Sequence, residues 1–212
     1  MPVAAVLLAA GASSRFGSQK LVQKIGGEPI LQRVARAFCE AGASPVVVVL
    51  GNDGELLRKV IADLPVRVTV NDRWAEGMFT SVRAGLAAAT EAAVHAVVSR
   101  DRQPTAPGLV AISPADLPFL RKDSLRTLFE AAASSDDRTL VVAAHAGRRG
   151  HPLVIPASLV GRILSWPDSA KLSDLIRQPD LAVREVDVGD EGVLRDVDVP
   201  ADLKNADSGS KP

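Results

Sequence analysis

The sequence predicts an α/β domain with helices on both faces of an open, mostly parallel sheet. Three observations predict it. Short aliphatic and β-branched runs alternate with segments of helical periodicity along most of the chain. Those runs are nearly continuous in apolar residues, the pattern of strands covered on both faces. The 212 residues fit a single unit at roughly 100–200 residues per domain. Repeated strand, helix, strand order implies parallel neighbours joined by right-handed crossovers, a Rossmann-like three-layer α/β/α stack. Ligands of such sheets bind beyond the carboxyl ends of the strands.

The first strand is expected at residues 3–8. Residues 3–10 have the small apolar look of a signal-peptide core, but no Lys or Arg precedes them, so the run reads as a buried strand. Ile30, Leu31, Val34, Ala35, Phe38 and Ala41 recur at i, i+3 and i+4 and are closed by Gly42, which marks an amphipathic helix with a C-terminal stop. Further strands are expected at 46–50, 66–70, 109–113 and 140–144, and further helices at 55–64, 79–91 and 123–133. Residues 99–108 are polar and rich in turn formers and read as a surface loop. After residue 144 the rhythm changes. Arg148-Arg149-Gly150-His151-Pro152 reads as a turn, two short helical pieces follow, and 183–188 and 193–199 read as strands that cap the site. Residues 1–204 form one domain on this reading, and 205–212 are a polar tail lacking order.

Composition narrows the partners. Twenty-five basic residues balance twenty-five acidic ones, so the cationic excess that nucleic-acid polymers require is missing. A chain that is 47% hydrophobic and 3% aromatic folds around an aliphatic core. A single cysteine, Cys39, excludes an internal disulfide and any multi-cysteine metal centre, and suits a reducing cytoplasm. No apolar stretch approaches the roughly 18 residues of a membrane helix. The expectation is a soluble cytoplasmic protein with neither a nucleic-acid polymer nor a membrane as partner.

The first strand runs into Ala9-Ala10-Gly11-Ala12-Ser13-Ser14-Arg15-Phe16-Gly17-Ser18-Gln19-Lys20. Small residues leave backbone N–H groups open to an anion, and Arg15 and Lys20 add charge to the same ligand. A βα connection with solvated cations has the same composition. The GxxxxGK[ST] pattern fails because Lys20 follows Gly17 by three residues and precedes Leu21, and the GxGxxG dinucleotide pattern is absent.

Leu8 through Lys20 resembles the LAAGxSxRxGxxK signature of nucleotidyltransferases of the molybdenum-cofactor cytidylyltransferase type. Later segments agree in order. Asn71, Trp74, Glu76, Gly77, Met78 and Ser81 match that family's Asn…Trp-x-Glu-Gly-Met-x-x-Ser segment. Ala115-Asp116-Leu117-Pro118 corresponds to its Gly-Asp-Gln-Pro turn, Gly147-Arg148-Arg149-Gly150-His151-Pro152 to its Gly-x-x-Gly-His-Pro, and Asp196-Val197-Asp198-Val199-Pro200-Ala201-Asp202 to its Asp-Ile-Asp-Thr-Pro-Glu-Asp. This chain departs at Ala115, which replaces Gly, at Val199, which replaces Thr, and in a longer 99–108 connection.

The resemblance implies a Mg2+-dependent nucleotidyltransferase fold and activity. CMP from CTP, or another nucleotide from its NTP, would pass to the molybdenum cofactor or another phosphorylated small molecule with release of pyrophosphate. Arg15, Lys20 and Asp116 would be catalytic. Ala9, Ala10, Gly11, Ala12, Ser13, Ser14, Gly17, Lys20, Gly77, Met78 and Ser81 would bind nucleotide. Asp116, after a buried strand, and Asp198, in a late extended segment, would hold Mg2+, an ion suited to one or two carboxylates plus phosphates. Gly150 and His151 would touch the acceptor. Helix capping and loop closure account equally well for Gly77, Met78 and Ser81, and packing for Trp74 and Trp166. A molybdoenzyme or its chaperone is the implied protein partner. The alternative from a different class is a non-catalytic nucleotide-binding partner of a molybdoenzyme.

Overall fold

The computed structural model describes residues 1–98 and 108–207. The chain opens with β1 (Val3–Ala9), whose alternate residues feed two cores: Ala5 and Leu7 face one, Ala4 and Val6 the other. A polar loop, the single turn Lys20–Val22 and a small hairpin of β2 (Lys24–Ile25) and β3 (Glu28–Pro29) lead into α1 (Ile30–Glu40). β4 (Val46–Leu50), α2 (Gly54–Val60) and β5 (Val66–Val70) follow, then the turn Trp74–Glu76 and α3 (Met78–Val98). The second half runs β6 (Leu109–Pro114), α4 (Lys122–Ala133), β7 (Thr139–His145), β8 (Arg148–Pro156), α5 (Val160–Leu164), α6 (Ser173–Ile176), β9 (Ala182–Asp187), the turn Glu191–Leu194 and α7 (Pro200–Asp207).

The strands form one seven-stranded sheet in the order β5-β4-β1-β6-β8-β7-β9. β8 is antiparallel to both its neighbours, and the other pairings are parallel. Leu31 and Phe38 of α1, Leu57 of α2 and Leu128 of α4 cover one face. Leu86 of α3, Ile163 of α5 and Leu175 of α6 cover the other. The three-layer α/β/α reading therefore holds. Close approach of α3 to the sheet depends on Gly85, where a Cβ would stand 2.3 Å from Val6 Cγ1 and 2.8 Å from Val49 Cγ2.

The chain leaves β1 toward β4 on one side and later returns to β6 on the other. The loops after β1 and β6 thus diverge at the carboxyl edge and open a crevice there, the place where open α/β sheets bind ligands.

Four expectations need correction. Residues 193–199 are not a strand: Glu191–Leu194 is a helical turn and the rest is irregular. Val197 N–H donates to Asp116 O at 3.0 Å, and the Asp202 carboxylate accepts from the N–H groups of Asp198 and Val199 at 2.8 and 2.9 Å. Those contacts take the place of ladder bonds. Residues 148–152 are strand rather than turn, because the reversal comes earlier, at Ala146 (φ 49) and Gly147 (φ 74), the pair of positive φ values that a two-residue hairpin needs. The helix expected at 79–91 continues to Val98. Residues 205–207 of the expected tail belong to α7. The expected loop at 99–107 and residues 208–212 lie outside the described residues. Among the described residues no helix is long and apolar enough to cross a membrane.

Candidate active site

The crevice holds a cavity of about 320 Å³ lined by residues of the loop after β1, the start of α3, the end of β6 and Asp198. The loop keeps its shape through its own side chains. Phe16 is buried in the core beneath it. Gln19, also buried, accepts from Ser13 Oγ at 3.0 Å and from Leu21 N–H at 3.3 Å. Lys20 N–H donates to Ser13 Oγ at 3.3 Å. Among the described residues no hydrogen bond ties the N–H groups of Gly11 and Ala12, so they remain available to an anion.

Charge enters from three distant stretches of chain. Lys20 Nζ donates to Asp116 Oδ2 at 2.6 Å and to Asp198 Oδ1 at 3.0 Å, and Arg15 donates to Asp198 Oδ2 at 2.6 Å. The Lys20 side chain is only 14% exposed. Burial pulls its ammonium down, but the hydrogen bonds and attraction of Asp116 and Asp198 outweigh this and hold it above the ordinary lysine value. The shared ammonium also screens the two carboxylates from each other.

One feature suits a cation. Asp116 Oδ1 is buried without a hydrogen-bond partner, a condition that costs about 1–3 kcal/mol unless something fills it. Asp116 and Asp198 supply hard oxygen donors, and among the described residues no cluster of three or more His, Cys, Asp or Glu forms a closed metal cage. Two carboxylates with room for phosphates and water fit Mg2+.

The structure brings Ala9, Ala10, Gly11, Ser13, Ser14, Arg15, Lys20, Met78, Ser81, Asp116 and Asp198 onto this one wall. Ala12 and Gly17 lie in the same loop but not on the wall. Ser81 is buried and accepts from Asn71 Nδ2 at 2.9 Å, which leaves its hydroxyl proton for the cavity. Gly77 (φ 129) makes the sharp entry into α3, a backbone state that essentially only glycine adopts, and it faces a second cavity.

That second cavity, of about 530 Å³, shares Leu8, Met78 and Pro114 with the first and contains His151. The pairing of β7 with β8 shifts register between Val142 and Ala144, opposite residues 150–152, and such bulges re-aim side chains. His151 is an exposed residue on the wall of this cavity. Burial lowers its pKa, only partly offset by Asp116 and Asp196. Gly150, expected beside the acceptor, lines neither cavity. A Cβ there would stand 2.2 Å from Val193 O, so its smallness serves the packing of the segment that carries Asp198.

Reading the sequence did not single out Gln19, which braces the loop, Asn71, which holds Ser81 and Thr80, or Asp202, which caps the backbone of Asp198. Asp202 and Asn71 lie inside the motifs quoted above. Gln19 carries no signal apart from its place between Gly17 and Lys20.

The comparisons with known proteins agree with this geometry. Nicotine blue oxidoreductase from Paenarthrobacter nicotinovorans is 33% identical over 200 residues, 92% of each chain. The 2-C-methyl-D-erythritol 4-phosphate cytidylyltransferase of Symbiobacterium thermophilum is 28% identical over 144 residues, 67% of this chain and 55% of that one. In fold, the chain is similar to Rv0371c of Mycobacterium tuberculosis, with a TM-score of 0.75 and 20% identity over 99% of both chains; Rv0371c also has a structure in complex with manganese. The family described as MobA-like NTP transferase domain matches residues 5–184, and this chain belongs to it.

Proposed function

We propose that the protein is a cytoplasmic nucleotidyltransferase that joins CMP from CTP to a phosphorylated acceptor, the molybdenum cofactor first among candidates, and releases pyrophosphate. The observation that carries this reading is the meeting of Lys20, Asp116 and Asp198, brought from 96 and 178 positions apart, at the open edge of a MobA-like domain. The Ala9-Ala10-Gly11 form of the loop, which resembles the cytidylyl-transferring branch, favours CTP.

The reaction asks little covalent chemistry of the protein. An anionic oxygen of the acceptor phosphate forms a bond to the α-phosphorus. The bond from the α-phosphorus to the oxygen leading to the β-phosphorus breaks, and its electron pair leaves with pyrophosphate. No proton has to be removed, so positioning and charge stabilisation supply the rate. The N–H group of Gly11, which lines the cavity, would meet the phosphates, and Lys20 and Arg15 would stand beside them as cations. Asp116 and Asp198 would hold Mg2+, which would neutralise phosphate charge. Ser81 offers a hydroxyl to the nucleotide, and the second cavity receives the acceptor. A molybdoenzyme or its chaperone would take the product.

Pyrophosphate release with CTP, GTP, ATP and UTP, each with Mg2+ and phosphorylated acceptors, tests the proposal. Turnover with CTP above the others is the expected result. Preference for GTP would overturn the cytidylyl assignment, and release with none would overturn nucleotidyl transfer.

A second reading, redox chemistry, is favoured by the 33% identity to nicotine blue oxidoreductase. It predicts turnover without release of pyrophosphate, which nucleotidyl transfer requires.

A further inference from the structure

The segment that carries Asp198 is held from outside the charged cavity. Asp190, upstream of it, is buried and lines neither cavity. Its Oδ1 accepts from Gly192 N–H at 3.0 Å and so caps the turn Glu191–Leu194. Its Oδ2 accepts from Arg121 N–H at 3.0 Å and from Ser124 Oγ at 2.8 Å, at the start of α4. Burial pushes this carboxyl up, but the N–H of Arg121, the Ser124 hydroxyl, the N–H of Gly192 and the Arg121 charge outweigh it and hold the group below the ordinary carboxylate value. The bridge is therefore made by an anion, whose hydrogen bonds are roughly twice as strong as neutral ones.

The two elements that Asp190 joins are the ones that flank the carboxylate pair. α4 follows the loop of Asp116, and the turn Glu191–Leu194 precedes Asp198. Contacts continue between the two stretches. Arg121 donates to Gly189 O at 2.8 Å, and Gly192 packs so closely that a Cβ there would stand 2.3 Å from Phe119 O. The Arg195 guanidinium lies over the Phe119 ring, 4.1 Å from its centroid, and Val197 N–H reaches Asp116 O at 3.0 Å. Residues 189–197 thus lie along residues 116–124, fastened by Asp190 at one end and by the Val197 bond at the end beside the carboxylate pair. Capping one short turn needs only a neutral hydroxyl or amide. A buried anion that collects donors from two elements bears a desolvation cost that local capping does not require.

We infer that Asp190 is a positioning residue for the metal-holding pair: by fastening the turn before Asp198 to the helix after Asp116, it sets how the two carboxylates face one divalent cation. This rests on the reading that Asp116 and Asp198 share that cation and goes beyond it in naming what holds them in register.

The test is titration of the full chain with Mn2+ alone, followed by electron paramagnetic resonance. Asp190→Ser keeps a cap for the turn and lacks the second oxygen that reaches α4. Mn2+ affinity should fall about tenfold, the scale of losing a group that orients a metal ligand. In an Asp198→Asn background the same substitution should change affinity by no more than about twofold, because its effect runs through Asp198. Hydrogen exchange followed by nuclear magnetic resonance gives a readout that needs no metal. The Val197 amide should exchange about tenfold faster in Asp190→Ser, while the amide of Val6, in the middle of the sheet, keeps its parental rate. If Asp190→Ser does not fold, Ser124→Ala, which removes one of the bonds to Asp190, takes its place with effects of about threefold in both readouts. Provided that Asp198→Asn itself lowers Mn2+ affinity, parental affinity in the folded variant overturns the inference, as does a loss that is undiminished in the Asp198→Asn background. A parental exchange rate at Val197 overturns it as well. If Asp198→Asn leaves Mn2+ affinity unchanged while Val197 exchange still quickens in Asp190→Ser, the shared-cation reading fails and the fastening of the segment stands.

Discussion

In the first cavity a chain of hydrogen bonds links Arg15 to Asp198, Asp198 to Lys20 and Lys20 to Asp116. In the second, which shares three wall residues with it, both acids are neutralised by arginines and most of the remaining wall is apolar, with Lys171, His151, Ser169 and Ser173 as its other polar members. Gathering half-buried charges costs desolvation that their pairing only partly returns. The fold bears that cost on one side of Met78 and avoids it on the other. The difference teaches that two adjoining cavities of one sheet edge can differ in kind: one gathers charge and the other neutralises its acids within its own wall.

The sharpest way to break this division is to neutralise the charged cavity. Asp116→Asn should lower pyrophosphate release by about a hundredfold or more, the scale of losing one group that stabilises transition-state charge. Asp198→Asn should cost less, since that side chain is 33% exposed against 18% for Asp116. The double variant should lose little beyond the worse single one, because both carboxylates serve one step. Fully multiplicative losses in steady-state kinetics would separate their roles.

Lys20→Met should then act on stability as well as rate. It strands two carboxylates that share one ammonium, a loss of about 1–3 kcal/mol once partial exposure is discounted from the cost of breaking a buried pair. Urea denaturation measures it, and added Mg2+ should restore part. The folded-state pKa of Lys20 lies above its ordinary value of 10.5. Its stabilisation should therefore be complete below pH 10.5 and fade only as pH rises through the folded value. Equal midpoints for the variant and the parent would show that water solvates the carboxylates in place of Lys20.

Gly150→Ala tests whether the segment behind the charged cavity can be displaced. Its Cβ, 2.2 Å from Val193 O, must push away the segment carrying Asp198, at about 1–3 kcal/mol for overpacking. Binding of Mn2+, followed by electron paramagnetic resonance, should weaken while the fold, followed by circular dichroism, is kept. Parental Mn2+ affinity in the folded variant would show that the segment yields without moving Asp198.

The smallest effect belongs to His151, on the wall of the second cavity. Its folded pKa lies below 6.5, so below that pH the unfolded chain takes up a proton that the folded chain refuses. The parent should lose stability as pH falls through 6.5 and level off below the folded value. His151→Gln should lack that component. Parallel melting curves from about pH 5 to pH 7 would show that the ring is not penalised by burial.

Strands such as β4, five buried residues in Val46–Leu50, were legible because a run covered on both faces needs no alternation. The segment at 193–199 misled for a local reason. Its alternating Val and charged residues imitate a half-buried strand, yet Val193 and Val197 are buried through a helical turn and an irregular stretch tied down by Asp116 O and the Asp202 carboxylate. Gly150 and Pro152 suggested a turn, whereas the register shift between β7 and β8 absorbs both residues within a strand.

The sequence by itself determined the layered α/β architecture and the small-residue loop after the first strand, because apolar periodicity and small-residue loops are local properties of a chain; Asp116 and Asp198 were picked out by motif resemblance instead. Only the tertiary structure decided that Lys20 sits between those carboxylates, that Gly150 makes room for Val193, and that residues of β1, α3, β6 and β8 and the segment 168–173 border a second cavity beside the charged one. These are contacts across tens to hundreds of positions. They exist because the chain reverses direction around β1 and brings the ends of distant segments to a single edge of the sheet.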